Sequence, residues 1–342
     1  MYRKWGNGMP GRTIGWLLGM AAIVAGAAAC GGSADAGGGK VRLSLVAYST
    51  PQAAYEEIIK EYRKTPEGKK VTFTKSFAAS GEQSRAVASG LKADIVALSL
   101  EPDMTRLVDG GFVAPDWNTG PEKGMVTDSV VVLATRKGNP KNVRTWDDLT
   151  RPGVEVITPN PFTSGGARWN VMAAYGAKAN KGADKATGTA YLHTLFKNVP
   201  VQDSSARKSL QTFSGGKGDV LLAYENEAIF AQQSKQPLDY TVPDATLLIE
   251  NPVAVTKNSA NPEEARAFLK FLYTKKAQEI FVKNGYRPVT DGVPGAEKFP
   301  RPSGLFTIAD LGGWKKVTSE FFNPKSGIMA EVEKSIGVSV EG

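Results

Sequence analysis

The stretch 41-VRLSLVAYSTPQAAYEEIIKEYR-63 decides the fold. Val41 to Ala47 is a short, apolar-rich strand, and from Pro51 to Arg63 the apolar residues Ala54, Ile58, Ile59 and Tyr62 recur at helical spacing. The segment therefore reads as one strand feeding one helix, and the pattern repeats. Val71-Thr72-Phe73-Thr74 is a second strand, leading through Ala78-Ala79-Ser80-Gly81 into a helix that holds Val87 and Leu91, and Ala93 to Leu98 is a third strand. Strand and helix alternating at this length predict an α/β layer structure with a mainly parallel sheet.

Working outward, Ser129 to Thr135 is a long apolar strand that ends at Lys137-Gly138-Asn139-Pro140, and Trp146-Asp147-Asp148-Leu149 opens a helix. Val154 to Thr158 is a strand, Ala167 to Ala179 a helix, and Val201-Gln202 and Val220 to Tyr224 are further strands. Leu247 to Thr256 is a strand broken by Pro252, and Pro262 to Asn284 is strongly helical. The long strand crosses into a second lobe and the later one returns, so the chain describes a hinged, two-lobe binding protein. The expected boundaries are 41–126 with 247–342 for lobe one and 127–246 for lobe two.

The chain has 342 residues, with 41% apolar and 22% charged side chains, a normal balance for a folded body. Its formal charge of +8 includes Arg3, Lys4 and Arg12 in a stretch without acids; the remaining basic residues are interspersed with Asp and Glu. That distribution speaks against nucleic acid as a partner. The single His193 and single Cys30 leave no material for a His- or Cys-rich metal site. Ser-His-Asp catalysis would rest on His193 alone, in a helical stretch where a surface or half-buried histidine is the plain reading.

Residues 1–29 have the basic and apolar regions of a secretory signal, and Ile14 to Gly26 is shorter than a spanning helix needs. Ala27-Ala28-Ala29-Cys30 resembles a bacterial lipobox, with Ala27 where leucine is usual, so Cys30 is the expected lipidated first residue of the mature chain. Residues 30–40 are a flexible tether. The expected location is extracytoplasmic, anchored to the cell membrane by lipid on Cys30.

Four strand-to-helix junctions share a composition: Tyr48-Ser49-Thr50-Pro51, Ala79-Ser80-Gly81-Glu82, Thr163-Ser164-Gly165-Gly166-Ala167 and Asp203-Ser204-Ser205-Ala206-Arg207. Any one hydroxyl at a helix start is an ordinary cap. Four converging on one cleft would supply free backbone N–H groups and partial positive charge, with glycines admitting close approach, which suits a tetrahedral oxyanion. No nucleotide loop and no G-x-S-x-G elbow occurs, so a hydrolase lacks a motif and no cofactor is implied.

Thr158-Pro159-Asn160-Pro161-Phe162-Thr163-Ser164-Gly165-Gly166-Ala167-Arg168-Trp169-Asn170 closely resembles the signature of bacterial periplasmic sulfate-binding proteins. Arg136 to Pro140, Trp146 to Leu149, Leu195 to Val199, Gly218 to Leu221 with Glu225-Asn226-Glu227, and Gly312-Gly313-Trp314 extend the likeness across residues 41 to 322. The resemblance implies a type II periplasmic-binding fold, a monomer, and a sulfate handed to the permease and ATPase subunits of an ABC importer. It also implies the ligands: Ser80 and Ser164 through hydroxyls, and Gly165, Gly166 and Ala206 through backbone N–H. Sulfate is ionised at neutral pH and only accepts hydrogen bonds, so a site of oriented neutral donors fits it.

The chain departs from that pattern in three places. Tyr224 stands where the family has tryptophan, Thr50 where relatives carry aspartate, and Phe162 where lysine is common. A phenol can replace an indole as donor, so Tyr224 and Thr50 join the expected ligands. Arg207, Arg168 and Glu225 are expected to support the ligand loops rather than touch the anion. Thiosulfate, molybdate and phosphate remain alternatives, phosphate being disfavoured because its proton calls for a carboxylate acceptor.

Overall fold

The computed structural model describes residues 40–338 and Val340; the expected signal segment, Cys30 and the tether up to residue 39 lie outside them. The first lobe begins with β1 (Val41–Tyr48), α1 (Gln52–Tyr62), β2 (Val71–Ala78), α2 (Ser80–Ala88), β3 (Ile95–Ala97) and α3 (Glu101–Asp109). β1 runs parallel to β2 and to β3. Its side chains alternate: Leu43, Leu45 and Ala47 pack under α1 with Tyr55, Ile58 and Tyr62, while Val46 faces the opposite core with Val87, Met104 and Leu107.

β4 (Met125–Arg136) leads into the second lobe, made of β5 (Val156–Pro159), α4 (Gly165–Lys178), α5 (Lys185–Phe196), β6 (Val201–Asp203), α6 (Ala206–Ser214), β7 (Val220–Tyr224), α7 (Glu225–Gln233) and β8 (Leu238–Thr241). β5 is parallel to both β6 and β7. Val131 and Leu133 of β4 join a core with Trp169, Met172 and Phe196, and Val130, Val132 and Ala134 join one with Leu210, Phe213 and Ala231. Burying alternate residues on two helical layers explains why the run from Val130 to Ala134 is apolar without a break.

β9 (Leu248–Val255) returns, followed by α8 (Pro262–Leu272), α9 (Lys275–Lys283), α10 (Gly313–Phe321) and α11 (Ile328–Ser335). The strand order is β2-β1-β3-β9-β4-β7-β5-β6, with β8 paired to β4. β4 and β9 are therefore the two strands shared between the lobes. The first half of β4 pairs with β9 and its second half with β7, while the end of β9 pairs with β3.

Several expectations are corrected. The sheet is mixed rather than mainly parallel, because the pairs β3–β9, β4–β9, β4–β7 and β4–β8 are antiparallel. Pro252 does not break its strand: it sits opposite Met125, where the register slips between Met125 and Thr127, and such an irregularity tolerates a residue without an N–H. Trp146 to Leu149 forms only a short 3-10 turn at Asp147–Thr150. The long helical stretch is two helices, since Thr274 interrupts it and caps the second by accepting from the Ala277 N–H. Phe306, Ile308, Trp314, Val317, Phe321 and Met329 pack into a core with residues of α4 and α5, and α10 also lies against α3.

Candidate functional site

The carboxyl ends of β1, β2 and β3 in one lobe face those of β5, β6 and β7 in the other, the edge at which α/β sheets present their functional loops. Each strand hands over to a helix there, and the turns border one cavity lined by Tyr48, Ser49, Thr50, Ala79, Ser80, Ser99, Ser164, Gly166, Ser205, Ala206 and Tyr224. The space between them is about 10 Å³ for the centre of a water-sized sphere, the scale of one small occupant. A sugar, an amino acid or a nucleotide does not fit without parting the lobes.

No lining side chain carries a charge. The donors come from the backbone instead. The first N–H groups of a helix have no intrahelical acceptor, and those of Ser80, Gly165, Gly166 and Ala206 find none elsewhere among the described residues. α1, α2, α3 and α7 have no side-chain cap, so their positive ends add to the field in the cavity.

The hydroxyls divide into committed and free protons. Ser80 Oγ donates to Asp103 Oδ2 at 2.6 Å and accepts from the Ser99 N–H at 2.9 Å. Its proton therefore points away from the cavity, and the backbone N–H is what Ser80 offers there. Ser164 Oγ accepts from the Ala167 N–H at 3.4 Å and Ser205 Oγ from the Lys208 N–H at 3.3 Å, which leaves both hydroxyl protons free. Tyr224 Oη and Ser99 Oγ are 2.7 Å apart and share one hydrogen bond, so the pair keeps one proton to donate. Thr50 Oγ1 pairs with Tyr286 Oη at 3.1 Å. Burial pushes the phenols of Tyr224 and Tyr286 well above the ordinary range, which keeps them protonated.

Charged groups surround the cavity in pairs. Asp103 is bound by Arg106 at 3.0 Å, Glu227 by Arg207 at 2.9 Å and Glu225 by Arg287 at 2.8 Å. Burial raises the pKa of Glu225 and Glu227 against the opposing pull of their arginines. Arg207 also donates to the Thr50 carbonyl at 2.9 Å, tying α6 to the turn before α1. Arg168 donates from Nε to the Pro161 carbonyl at 2.9 Å, with its guanidinium over the Phe322 ring, and so holds the loop entering α4.

Of the expected ligands, Thr50, Ser80, Ser164, Gly166, Ala206 and Tyr224 line the cavity, and Gly165 stands just behind. A Cβ on Gly165 would lie 2.0 Å from Leu100 Cδ2 and 2.7 Å from Ser99 Oγ, so only glycine admits this approach of the lobes. Tyr48, Ser49 and Ser205 are wall residues from the expected junctions that were not among the expected ligands, and Ser99 lies outside all four junctions. Ser99 is the most connected of them: besides Tyr224, its carbonyl accepts from Trp169 Nε1 at 2.8 Å and from Asn251 Nδ2 at 2.9 Å. The signal for it was present in Leu98-Ser99-Leu100-Glu101-Pro102, a hydroxyl between a strand and a helix with proline in its first turn.

Known proteins are similar to this chain. The family model for bacterial extracellular solute-binding proteins matches residues 43–287. A sulfate-binding protein of Synechococcus elongatus is 44% identical over 310 residues, spanning 86% of this chain and 89% of that protein. A sulfate-binding protein of Escherichia coli is 38% identical over 297 residues, spanning 82% and 90%. Among solved structures, the sulfate-binding protein SubI of Mycobacterium tuberculosis matches with a TM-score of 0.81 at 43% identity, over 83% of this chain and 100% of that one.

Proposed function

The chain belongs to the bacterial extracellular solute-binding protein family, and we propose that it is the sulfate receptor of an ABC importer, closing its two lobes on one dehydrated anion. The observation that carries this reading is the chemistry of the wall: a small cavity of backbone N–H groups and hydroxyls at six helix starts, with no charged side chain. Sulfate offers acceptor oxygens at the corners of a tetrahedron and no proton. A ring of neutral donors therefore satisfies it, while the helix ends offset its lost hydration. A protonated phosphate would need an acceptor, and the nearest carboxylate, Asp103, already takes the Ser80 and Arg106 hydrogens. The names of the relatives, sulfate-binding proteins at 38–44% identity, favour the same anion.

The ligand set follows from the free protons: the N–H groups of Ser80, Gly165, Gly166 and Ala206, the hydroxyl of Ser164, and the proton shared out by Tyr224 and Ser99. Thr50 contributes through its turn, held by Arg207. We read the process as capture and release, in keeping with relatives that are sulfate-binding proteins by name. Titrating the purified protein with sulfate, thiosulfate, molybdate and phosphate by calorimetry tests the reading. One-to-one binding of sulfate with a raised melting temperature is expected, and a sulfate isotherm without heat or thermal shift would overturn it.

The receptor works outside the cytoplasm, held at the membrane through lipid on Cys30 and docking as a monomer on its permease and ATPase subunits. Cys30→Ser is expected to abolish fatty-acid labelling of the protein. Label retained in that variant would remove the anchor from the proposal and leave the sulfate site standing.

A further inference from the structure

We propose that the end of the first lobe at which the chain enters β1 is a contact surface for anionic phospholipid headgroups. Charge is not spread evenly over the body. Residues 40–75 hold eight basic and four acidic side chains, whereas residues 76–342 together come to a net of only +2. The fold gathers this excess on one surface. The register of β1 on β2 sets Val41 beside Val71, so the entry at Lys40 lies next to Lys70. Lys60, Arg63 and Lys64 at the end of α1 border one open groove with Lys69 and Lys75, and all of them are exposed. Lys64 pairs with Glu61 and Lys75 with Glu56, but Lys60, Arg63, Lys69 and Lys70 have no carboxylate partner among the described residues.

The position of this surface selects its partner. It lies at the amino-terminal ends of β1 and β2, remote from the carboxyl ends that form the anion cavity, so it adds nothing to solute capture. It does lie where the tether joins the body. Ten residues, 30 to 39, reach at most about 35 Å when extended, so an anchored body keeps returning its entry end to the lipid surface. Exposed lysines and arginines there act within a Debye length of about 10 Å on a negative leaflet. Beside a lipid anchor, a basic patch adds an electrostatic attraction that holds the body itself against an anionic surface.

The inference rests on the proposed anchor, and its test omits the anchor so that the two stand or fall separately. The body from residue 40 onward contains all the cores described above and is used alone. It is sedimented with vesicles of phosphatidylcholine, with and without phosphatidylglycerol, at low and high salt. Binding to the anionic vesicles only, reversed by salt, is expected. Replacing Lys60, Arg63, Lys69 and Lys70 together by glutamine should lower that partition by more than a hundredfold, at about fivefold per cation. A control variant with Lys197, Lys217, Lys298 and Lys325 replaced by glutamine has the same net charge and should keep most of the binding. Absent or salt-insensitive binding, or equal losses in both variants, would overturn the proposal; unchanged melting of the variants confirms that folding is not the cause.

Discussion

Tyr224 Oη and Ser99 Oγ lie 2.7 Å apart, joining the end of β7 in one lobe to the turn after β3 in the other. Both are buried, and between them they hold two hydroxyl protons for one mutual hydrogen bond. The pair therefore acts as a bridge between the lobes and as a single donor to whatever occupies the cavity.

Tyr224→Phe keeps the ring and deletes one hydroxyl, and Ser99→Ala deletes the other. Either single variant ends the mutual bond and leaves the remaining hydroxyl's proton for the anion. Only the double variant lacks both protons; since hydrogen bonds to a charged partner are worth about 1.5–3 kcal/mol, it should bind sulfate roughly ten- to a hundredfold more weakly and cost clearly more than the sum of the two single losses. Calorimetric titration of the four proteins measures this cycle; strictly additive losses would show that they act independently.

Ser80 and Ser164 look alike in sequence but differ in where their protons go. Ser80→Ala strands Asp103 Oδ2 and the Ser99 N–H in a buried setting, so it should lower ligand-free stability by about 1.5–3 kcal/mol. Ser164→Ala removes only a cap, worth about 1 kcal/mol, together with a free donor. Urea denaturation should rank Ser80→Ala as the less stable, and sulfate titration should rank Ser164→Ala as the weaker binder.

Arg207→Ala leaves the Glu227 carboxylate buried without its partner and releases the Thr50 carbonyl. Breaking such a pair costs about 3–5 kcal/mol. Adding Glu227→Gln removes the stranded charge, so the double variant should regain most of the lost stability without regaining the tie to the turn before α1. Denaturation midpoints separate the two effects. A double variant no more stable than Arg207→Ala would show that the ion pair matters only through Thr50.

Glu333 of α11 is fully buried and accepts from Gln202 Nε2 at 2.6 Å, while its own Oε1 and the Gln202 Oε1 have no partner. Burial pushes its pKa up to about 7, opposed by the Gln202 hydrogen bond. A raised carboxyl pKa means that the folded state holds the proton more tightly. The contribution is thus full below about 4.5 and is lost as pH rises to about 7, in total on the order of 3 kcal/mol. Glu333→Gln stays neutral and can still pair with Gln202, so its stability should not show this decline. Parallel declines in both proteins would assign the effect to other groups.

Apolar alternation and helical spacing were enough to read the β–α units from Val41 to Leu98 and the crossover near Val130 to Ala134, because those patterns record which faces are buried. Pairing direction was not legible. Whether β4 runs against β7 or with it depends on partners 85 and more residues away, such as Val220 for Thr135. The C-terminal segment shows the same limit: the apolar side chains of Phe306 and Trp314 announce burial but do not say against which partners.

The site divides along similar lines. Residue order alone determined that Ser80, Ser164, Gly165, Gly166 and Ala206 stand at helix starts, since capping chemistry and glycine placement are local. Only the tertiary structure decided what each does there. Ser80 directs its proton to Asp103 because α2 packs on α3, and Ser99 meets Tyr224 because two lobes close on each other across 125 positions of sequence. A hydroxyl's type is written in the chain, but the direction of its hydrogen is set by the nearest acceptor in space, and that neighbour is supplied by packing.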